Sequence, residues 1–277
     1  MPMTNFQLRV LTSAIYFPLL ILSVYPRDIF VIFICILLAG ALHEYFRFLS
    51  WPVSTQQFIR HLLLVAAGLL PFLALLLNQP ILLGILALGV VYQIHLVRGM
   101  VERLSFEELL KNSKAHLFGY LYLTGLFSVL ILLRDQPGGE SFVWFLLFVV
   151  GATDTGAYFV GKWRGRTPFF EWISPKKTWE GFVGGLFFAL VVSFVCHAVF
   201  THFHFLMPPL WLSLVMGLIV GLASAFGDLL VSSMKRQYKV KDAGKLFMGH
   251  GGVLDRFDGV LFAGLPLLLI VLIWSAF

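Results

Sequence analysis

Long apolar blocks dominate this chain and limit what it can fold into. Hydrophobic residues make up 59% of its 277 positions and charged residues only 12%, against about 25% in soluble domains. The blocks are long enough to cross a bilayer as helices, and they lack the polar alternation of a membrane β-barrel. Because a helix satisfies its own backbone groups inside lipid, the sequence predicts an all-α, polytopic integral membrane protein.

Nine segments are apolar enough to be transmembrane helices. Their ranges are roughly 8–24, 29–47, 61–77, 80–97, 116–133, 141–160, 181–201, 209–231 and 259–276, with ends uncertain by a few residues. The Tyr25-Pro-Arg-Asp28 break separates the first two. The first segment is interpreted as a retained span, because its apolar run is long and no small-residue cleavage site follows it.

The basic residues predict the orientation. With a cytoplasmic N-terminus, every Lys and Arg except Arg27 and Arg134 falls at a cytoplasmic span end or loop, which is the side that basic residues favour. Nine spans then place the C-terminus outside. The net charge of +6 follows from this bias, and without a soluble basic domain it does not indicate nucleic-acid binding.

Cys35 and Cys196 lie in predicted spans without a CxxC partner, so neither a disulfide nor a zinc site is expected.

Polarity divides the chain into two regions. Residues 1–135 form an N-terminal transmembrane region with mostly short connections. Residues 136–277 form a C-terminal transmembrane region that is predicted to be catalytic, because its two cytoplasmic loops, 161–180 and 232–258, carry most of the unusual polar residues.

Acidic residues inside spans are costly and usually functional, and this chain has three: Glu44, Asp154 and Asp228. By the predicted topology all three lie near the cytoplasmic end of their spans, at the same side as Asp255 and Asp258. A transporter carboxylate would more often lie near the midplane, so the grouping favours a site that is supplied from the cytoplasm. For Glu44, a helix-end ion pair with Arg47 one turn later is at least as good an interpretation.

The aspartates have neighbours that suit a site for phosphates and a hard metal. Ser224, Asp228 and Ser232 are spaced to form one polar stripe on a helix. Asp255 and Asp258 are three residues apart and are expected to share a face in the first turn of the last span, at the positive helix end. Oxygen ligands without a Cys or His set favour Mg²⁺ or Mn²⁺. Charge matching at a helix start is the alternative interpretation.

Two further motifs could bind phosphate. Ser174-Pro-Lys-Lys-Thr-Trp-Glu-Gly181 reads as an N-cap followed by Pro at the first helical position, with Lys176 and Lys177 in the first turn. Lysines at a helix N-terminus could hold a polyphosphate, although they could also flank the seventh span on its cytoplasmic side. The glycines of His250-Gly251-Gly252 would let backbone N–H groups approach a phosphate, while a lone His is more often structural.

At these residues the sequence closely resembles the phosphatidate cytidylyltransferases. The family signature matches Ser232-Ser-Met-Lys235-Arg236, then Lys241-Asp242, then His250-Gly-Gly-Val-Leu-Asp255-Arg256-Phe-Asp258. Asp154-Thr-Gly-Ala-Tyr158, the 174–181 motif and Gly227-Asp228 also match family patterns. The resemblance covers about residues 150–260, and Met248 stands where the family usually has Pro or another small turn residue.

The resemblance implies transfer of CMP from CTP to phosphatidic acid, giving CDP-diacylglycerol and pyrophosphate. It implies a homodimer in the bacterial inner (cell) membrane with a cytoplasmic active site. It also implies dependence on a divalent metal, predicted to be Mg²⁺ or Mn²⁺, and a second cation is predicted beside it. Metal ligands would be Asp228 and Asp255. The catalytic set is then predicted as Asp228, Asp255, Lys176, Asp154 and Asp258, and the substrate-binding set as Lys177, Lys235, Arg236, Lys241, His250, Gly251, Gly252 and Arg256.

Two other functions compete with this one. A CTP-dependent membrane lipid kinase of the dolichol or phytol kinase type would also act at the cytoplasmic face, but would transfer the γ-phosphate to an alcohol; the full 232–258 signature argues against it. An ion-coupled transporter is motivated by Asp154 and Asp228 within spans, and the location of the acids at one side argues against it. The Asp-Gly-x-x-Ala-Arg motif of CDP-alcohol phosphotransferases is absent.

Overall fold

The computed structural model describes residues 24–48, 106–244 and 251–276, and within these ranges the chain is helical without a strand. The six helices are α1 (Arg27–Phe48), α2 (Phe106–Arg134), α3 (Gly139–Arg164), α4 (Trp179–His202), α5 (Leu210–Gln237) and α6 (Leu254–Ser275). All six contain a stretch long and apolar enough to cross a membrane. The predicted class of integral membrane protein is therefore confirmed.

The six helices correspond to six of the nine predicted spans. Apart from residue 24, the remaining three, at 8–24, 61–77 and 80–97, lie outside the described residues, so the count of nine stays a prediction. The helices are longer than the apolar runs that predicted them. In particular, α5 continues to Gln237 and α6 begins at Leu254, so helix extends into both sides of the segment 232–258.

The helix ends form two groups at opposite ends of the bundle. At one end, the α2–α3 turn meets the start of α1 through Arg27 and Asp135, and it meets the α4–α5 connection where Ser141 Oγ donates to the carbonyl of Leu206 at 2.9 Å. We call this the opposite end. The site end is the other one, where α1, α3 and α5 finish and α2, α4 and α6 begin. Arg27 and Arg134, the two predicted exceptions to the charge bias, both lie at the opposite end.

Small residues let the helices of the C-terminal region approach closely, as is common in membrane bundles. A Cβ at Gly156 of α3 would meet the Phe188 side chain of α4 at 2.7 Å, and one at Gly221 of α5 would meet Ala189 of α4 at 2.9 Å. Among the six described helices, α4 has the smallest buried share, and it leaves Val183 and Phe187 exposed. This surface suits contact with lipid.

Candidate active site

A cavity of about 520 Å³ opens at the site end, between α3, α4, α5 and the segment that precedes α4. Its lining is mainly apolar, from residues such as Phe169 and Phe182. The polar residues that line it are Thr153, Asp154, Tyr158, Lys162, Lys176, Lys177, Thr178 and Asp228. A largely apolar pocket with a few convergent charges is the usual form of a small-molecule site.

Asp228 is the centre of charge in this cavity. Its Oδ2 pairs with Lys177 Nζ at 2.6 Å, and its Oδ1 accepts a hydrogen bond from Ser232 Oγ at 3.1 Å. The predicted polar stripe on α5 is therefore confirmed for Asp228 and Ser232. Both members of the ion pair stay accessible, with 36% of the Asp228 side chain and 28% of the Lys177 side chain exposed. A pair this open can exchange partners at low cost, because solvent screens the attraction.

Asp154 faces the same cavity from α3. It keeps an accessible carboxylate and lies within electrostatic range of Asp228, Lys177 and Arg256. Close approach of α3 to α4 brings it there, since Gly185 leaves space for the carbonyl of Thr153 one residue earlier. The small residues around Asp154 thus serve the tight helix contact that their composition predicts.

The start of α4 differs from the prediction. Ser174-Pro175 does not cap the helix; Thr178 does, and its Oγ1 accepts from the Gly181 N–H at 3.2 Å. Thr178 is extended and pairs with Pro168 in an isolated bridge. In this extended conformation the Thr178 hydroxyl reaches a free N–H group of the first turn, as an N-cap residue does.

Lys176 and Lys177 consequently lie just before α4, not in its first turn. The Phe169 N–H donates to the Lys177 carbonyl at 2.8 Å, which ties this stretch to the residues after α3. Glu180 supports the same segment, because its carboxylate accepts the N–H groups of Arg166 and Thr167 at 3.1 and 3.2 Å. Both lysines still line the cavity, and Lys177 pairs with Asp228, although the predicted position of both lysines in the first turn of the helix was wrong.

Asp255 forms a second centre and is not among the residues that line the cavity. It lies in the first turn of α6, as predicted. Its Oδ1 pairs with Lys235 Nζ at 2.7 Å, and its Oδ2 accepts the N–H groups of Ala243 and Gly252 at 2.7 and 2.9 Å. Only 10% of the side chain is exposed. The preceding Gly251 has a φ of 88°, a backbone conformation in which glycine carries no steric penalty.

Asp258 lies one turn into α6, within electrostatic range of Asp228. Its Oδ1 accepts the N–H of Gly259 at 2.8 Å, and it interacts electrostatically with Asp228, Asp154 and Lys235. Two buried hydroxyls lie nearby, from Ser224 and Tyr122. Neither has a hydrogen-bond partner within the described part of the chain, so the interior beside Asp258 has unused capacity to bind polar groups.

The donors at these centres suit a hard cation in their chemistry. They are carboxylates and a hydroxyl, the ligands that Mg²⁺ prefers, and Asp228 and Asp255 each already hold a positive group, Lys177 and Lys235. Among the described residues, no three His, Cys, Asp or Glu side chains converge closely enough to hold an ion by themselves. The metal assignment therefore stays a prediction.

The other predicted site residues divide by location. Lys235 and Gly252 contact Asp255 directly, whereas Arg236 points away and its Nε donates to the carbonyl of Ile173 at 3.3 Å. Arg256 is exposed within electrostatic range of Asp154. Lys241 is exposed on the connection after α5. His250 and Met248 lie outside the described residues, so the role predicted for His250 stays a prediction.

Glu44 is the residue whose role sequence reasoning missed. Its carboxylate does not form the expected pair with Arg47; it accepts the N–H groups of Val253 and Leu254 at the start of α6. A buried acid in a span was a sound signal of importance. The partner could not be predicted, because Val253 and Leu254 are more than 200 positions away and have apolar side chains.

Comparison with known proteins gives a consistent family. The model of the cytidylyltransferase family matches residues 7–274. A protein named phosphatidate cytidylyltransferase from Staphylococcus saprophyticus is 44% identical over 142 residues, which is 51% of this chain and 53% of that protein. Proteins of the same name from Staphylococcus aureus strain COL and Staphylococcus haemolyticus are 42% and 43% identical over 142 and 138 residues. The chain thus spans about half the length of the curated relatives it matches.

These relatives are bacterial, and six helices of this chain are long and apolar enough to cross a membrane. Together they support an integral protein of a bacterial cell membrane.

Proposed function

Because the chain belongs to the cytidylyltransferase family, we propose that it transfers CMP from CTP to phosphatidic acid. The products would be CDP-diacylglycerol and pyrophosphate. The observation that carries the proposal is the cavity in which Lys176 and Lys177 stand beside Asp154 and Asp228. Relatives named phosphatidate cytidylyltransferase support the choice of substrates.

The proposed reaction is one displacement at phosphorus. A phosphate oxygen of phosphatidic acid attacks the α-phosphorus of CTP, the bond from that phosphorus to the bridging α–β oxygen breaks, and pyrophosphate leaves with the electron pair. The attacking phosphomonoester is already mostly charged at neutral pH, since its second pKa is about 6. Hence the site needs no strong general base, and the main obstacle is repulsion between two polyanions.

The residues of the cavity suit that obstacle. Lys177 and Lys176 would bind phosphate oxygens, and Lys235, Arg236, Lys241 and Arg256 would add positive potential around the site. Positive groups that hold attacker and target in line lower the barrier both by positioning and by neutralising charge. Lys177 is available for this because its present partner, Asp228, is itself partly exposed.

Asp228 and Asp255 are the ligands we propose for a divalent ion, Mg²⁺ or Mn²⁺, and a second cation would suit the neighbouring acids Asp154 and Asp258. When bound, such an ion would supply charge neutralisation at the transferring phosphate. The chain itself places the two carboxylates where a positive group is bound, since Asp228 pairs with Lys177 and Asp255 pairs with Lys235. The main-chain N–H groups near Gly251 and Gly252, together with His250, would assist phosphate binding.

We further propose that the site end faces the cytoplasm, because the basic residues of the described helices concentrate there. A homodimer, as the resemblance implies, stays a prediction.

The test incubates the purified full chain with CTP, phosphatidic acid and Mg²⁺, and identifies both products. CDP-lipid and pyrophosphate in equal amounts would support the proposal. Lipid phosphate with CDP would show a kinase instead, and the absence of any CTP turnover, with ion flux into proteoliposomes, would favour a transporter.

A further inference from the structure

Glu44 is a buried acid on α1 whose carboxylate reaches the start of α6. The residue is 4% exposed; its Oε1 accepts the N–H of Val253 at 3.0 Å and its Oε2 that of Leu254 at 3.1 Å. Helix α6 has no side-chain cap of its own, because the apolar Val253 occupies the N-cap position. A carboxylate there satisfies free N–H groups and meets the positive end of the helix dipole. Glu44 therefore supplies the missing cap from another helix.

Two glycines provide the space for this carboxylate. A Cβ at Gly244 would overlap Glu44 Oε1, and a Cβ at Gly252 would overlap Oε2. Neither glycine has a positive φ, in contrast to Gly251, so the requirement at both positions is room and not backbone conformation. Gly244 and Gly252 stand on either side of residues 245–250, and Glu44 therefore contacts both flanks of this connection.

Asp255 holds the same two flanks from its own side. Its Oδ2 accepts one N–H from Ala243, next to Gly244, and one from Gly252, next to Val253. The N–H groups of Gly252, Val253 and Leu254 are consecutive. The first donates to Asp255 and the next two donate to Glu44. A displacement of the Glu44 contacts would therefore move the group that orients Asp255.

We infer that Glu44 is a positioning residue, which fixes the start of α6 and through it the direction of the Asp255 carboxylate. It acts without touching substrate. The inference rests on the proposed function, in which Asp255 serves the reaction. It gives the N-terminal region a part in a site whose recognisable motifs all follow residue 150.

The first experiment compares Glu44→Gln with Tyr45→Phe in the purified full chain. Gln keeps the size of Glu but turns one acceptor into a donor that faces an N–H group. We expect kcat/KM for CTP to fall roughly 10- to 100-fold, as for other groups that support metal ligands, and the Mg²⁺ concentration for half-maximal rate to rise. Tyr45→Phe is the matched control, because it removes a hydrogen bond from the same helix to the Ala115 carbonyl at 2.9 Å.

Loss of folded protein alone would lower the amount of active enzyme without changing its Mg²⁺ requirement. An unchanged Mg²⁺ requirement in Glu44→Gln, with turnover equal to that of Tyr45→Phe, would overturn the inference. Amide hydrogen exchange adds a readout that is independent of activity: protection of the Val253 and Leu254 amides should drop in Glu44→Gln and persist in the control.

A second experiment uses Gly244→Ala, alone and combined with Glu44→Ala, and measures thermal unfolding. Gly244→Ala should destabilise the wild-type chain, because its methyl group overlaps the carboxylate, but should have little further effect once Glu44 is gone. An equal destabilisation by Gly244→Ala with and without Glu44 would contradict the position of the Glu44 carboxylate beside Gly244. If the wild-type chain forms no CDP-lipid, the proposed function fails. Amide hydrogen exchange and the unfolding of the Gly244 and Glu44 variants then still decide whether Glu44 holds the start of α6.

Discussion

The two ends of the bundle use charged residues in opposite ways. At the opposite end, Arg27 forms a bidentate pair with Asp135, in which Nε donates to Oδ1 at 2.7 Å and Nη2 donates to Oδ2 at 2.9 Å. Arg134 donates to the carbonyls of Val24 and Tyr25, both at 2.6 Å, and pairs with Glu140 at 2.8 Å. These contacts join the start of α1 to the end of α2 and the start of α3, and none of these residues lines the cavity at the site end.

At the site end, one charge pair borders open space. Lys177 and Asp228 are both partly exposed in the cavity, and three aspartates from α3, α5 and α6 lie within electrostatic range of one another. A fold gains little from such an arrangement, since like charges repel. The comparison teaches that the opposite end is arranged for stability and the site end for binding, and the following changes test that difference.

Asp228→Asn should have the largest effect on activity. We expect CDP-lipid formation to fall roughly 10²–10³-fold, because the change removes the charge that orders Lys177 and is proposed to hold the metal. The stability of the chain should hold or rise, since a carboxylate repelled by Asp154 and Asp258 is gone. Pyrophosphate release and thermal unfolding measure the two effects.

The control for this change is Glu171→Gln, an exposed acid on the segment before α4, which should keep wild-type turnover. Full turnover by Asp228→Asn would contradict the role proposed for Asp228.

Lys177→Ala should come next, with kcat/KM for CTP lowered by about 10²-fold through loss of one preorganised positive group. Lys177→Arg should restore only part of it, because the planar guanidinium differs from an ammonium in shape and hydration. Steady-state kinetics at varied CTP concentration give the comparison. Lys239→Ala, an exposed lysine after α5, serves as the control; an equal loss there would point to a diffuse charge effect instead of a specific contact.

Arg134→Met should have the opposite effect to the changes at the site end: it should lower the stability of the chain and leave turnover per folded molecule unchanged. The side chain is only 11% exposed, and its loss leaves Glu140 and two carbonyls without their donor, at a cost of about 2 kcal/mol. Thermal unfolding together with turnover per folded molecule checks this. A specific loss of kcat with unchanged stability would break the proposed division between the ends.

Asp135→Asn should have the smallest effect. The Arg27–Asp135 pair is more exposed, with 46% and 27% of the side chains accessible, so its contribution to the free energy of unfolding should be about 0.2–1 kcal/mol. The loss should shrink as salt concentration rises. A salt-independent loss as large as that of Arg134→Met would mean that this pair is more isolated from solvent than its exposure indicates.

Much of the site could be predicted because membrane sequences separate polar from apolar residues sharply. An acid such as Asp154 or Asp228 within an apolar run is conspicuous, and its distance from the span end gives its depth. The helical stripe of Asp228 and Ser232 followed from spacing, and so did the position of Asp255 in the first turn of α6. The wrong cap at Ser174 has a local cause: Ser-Pro and Thr both suit a helix start, and the bridge between Thr178 and Pro168 decides between them.

The sequence by itself determined that this chain spans a membrane, which of its described segments do so, and which charged residues gather at one end. Those outcomes depend on local hydrophobicity and on the period of a helix. Only the tertiary structure decided which cation meets which carboxylate, because Lys177 and Lys235 have the same chemistry and differ only in what the packed helices bring near them. It alone joined Glu44 to the start of α6, since a contact with backbone N–H groups leaves no mark in the side chains of its partners.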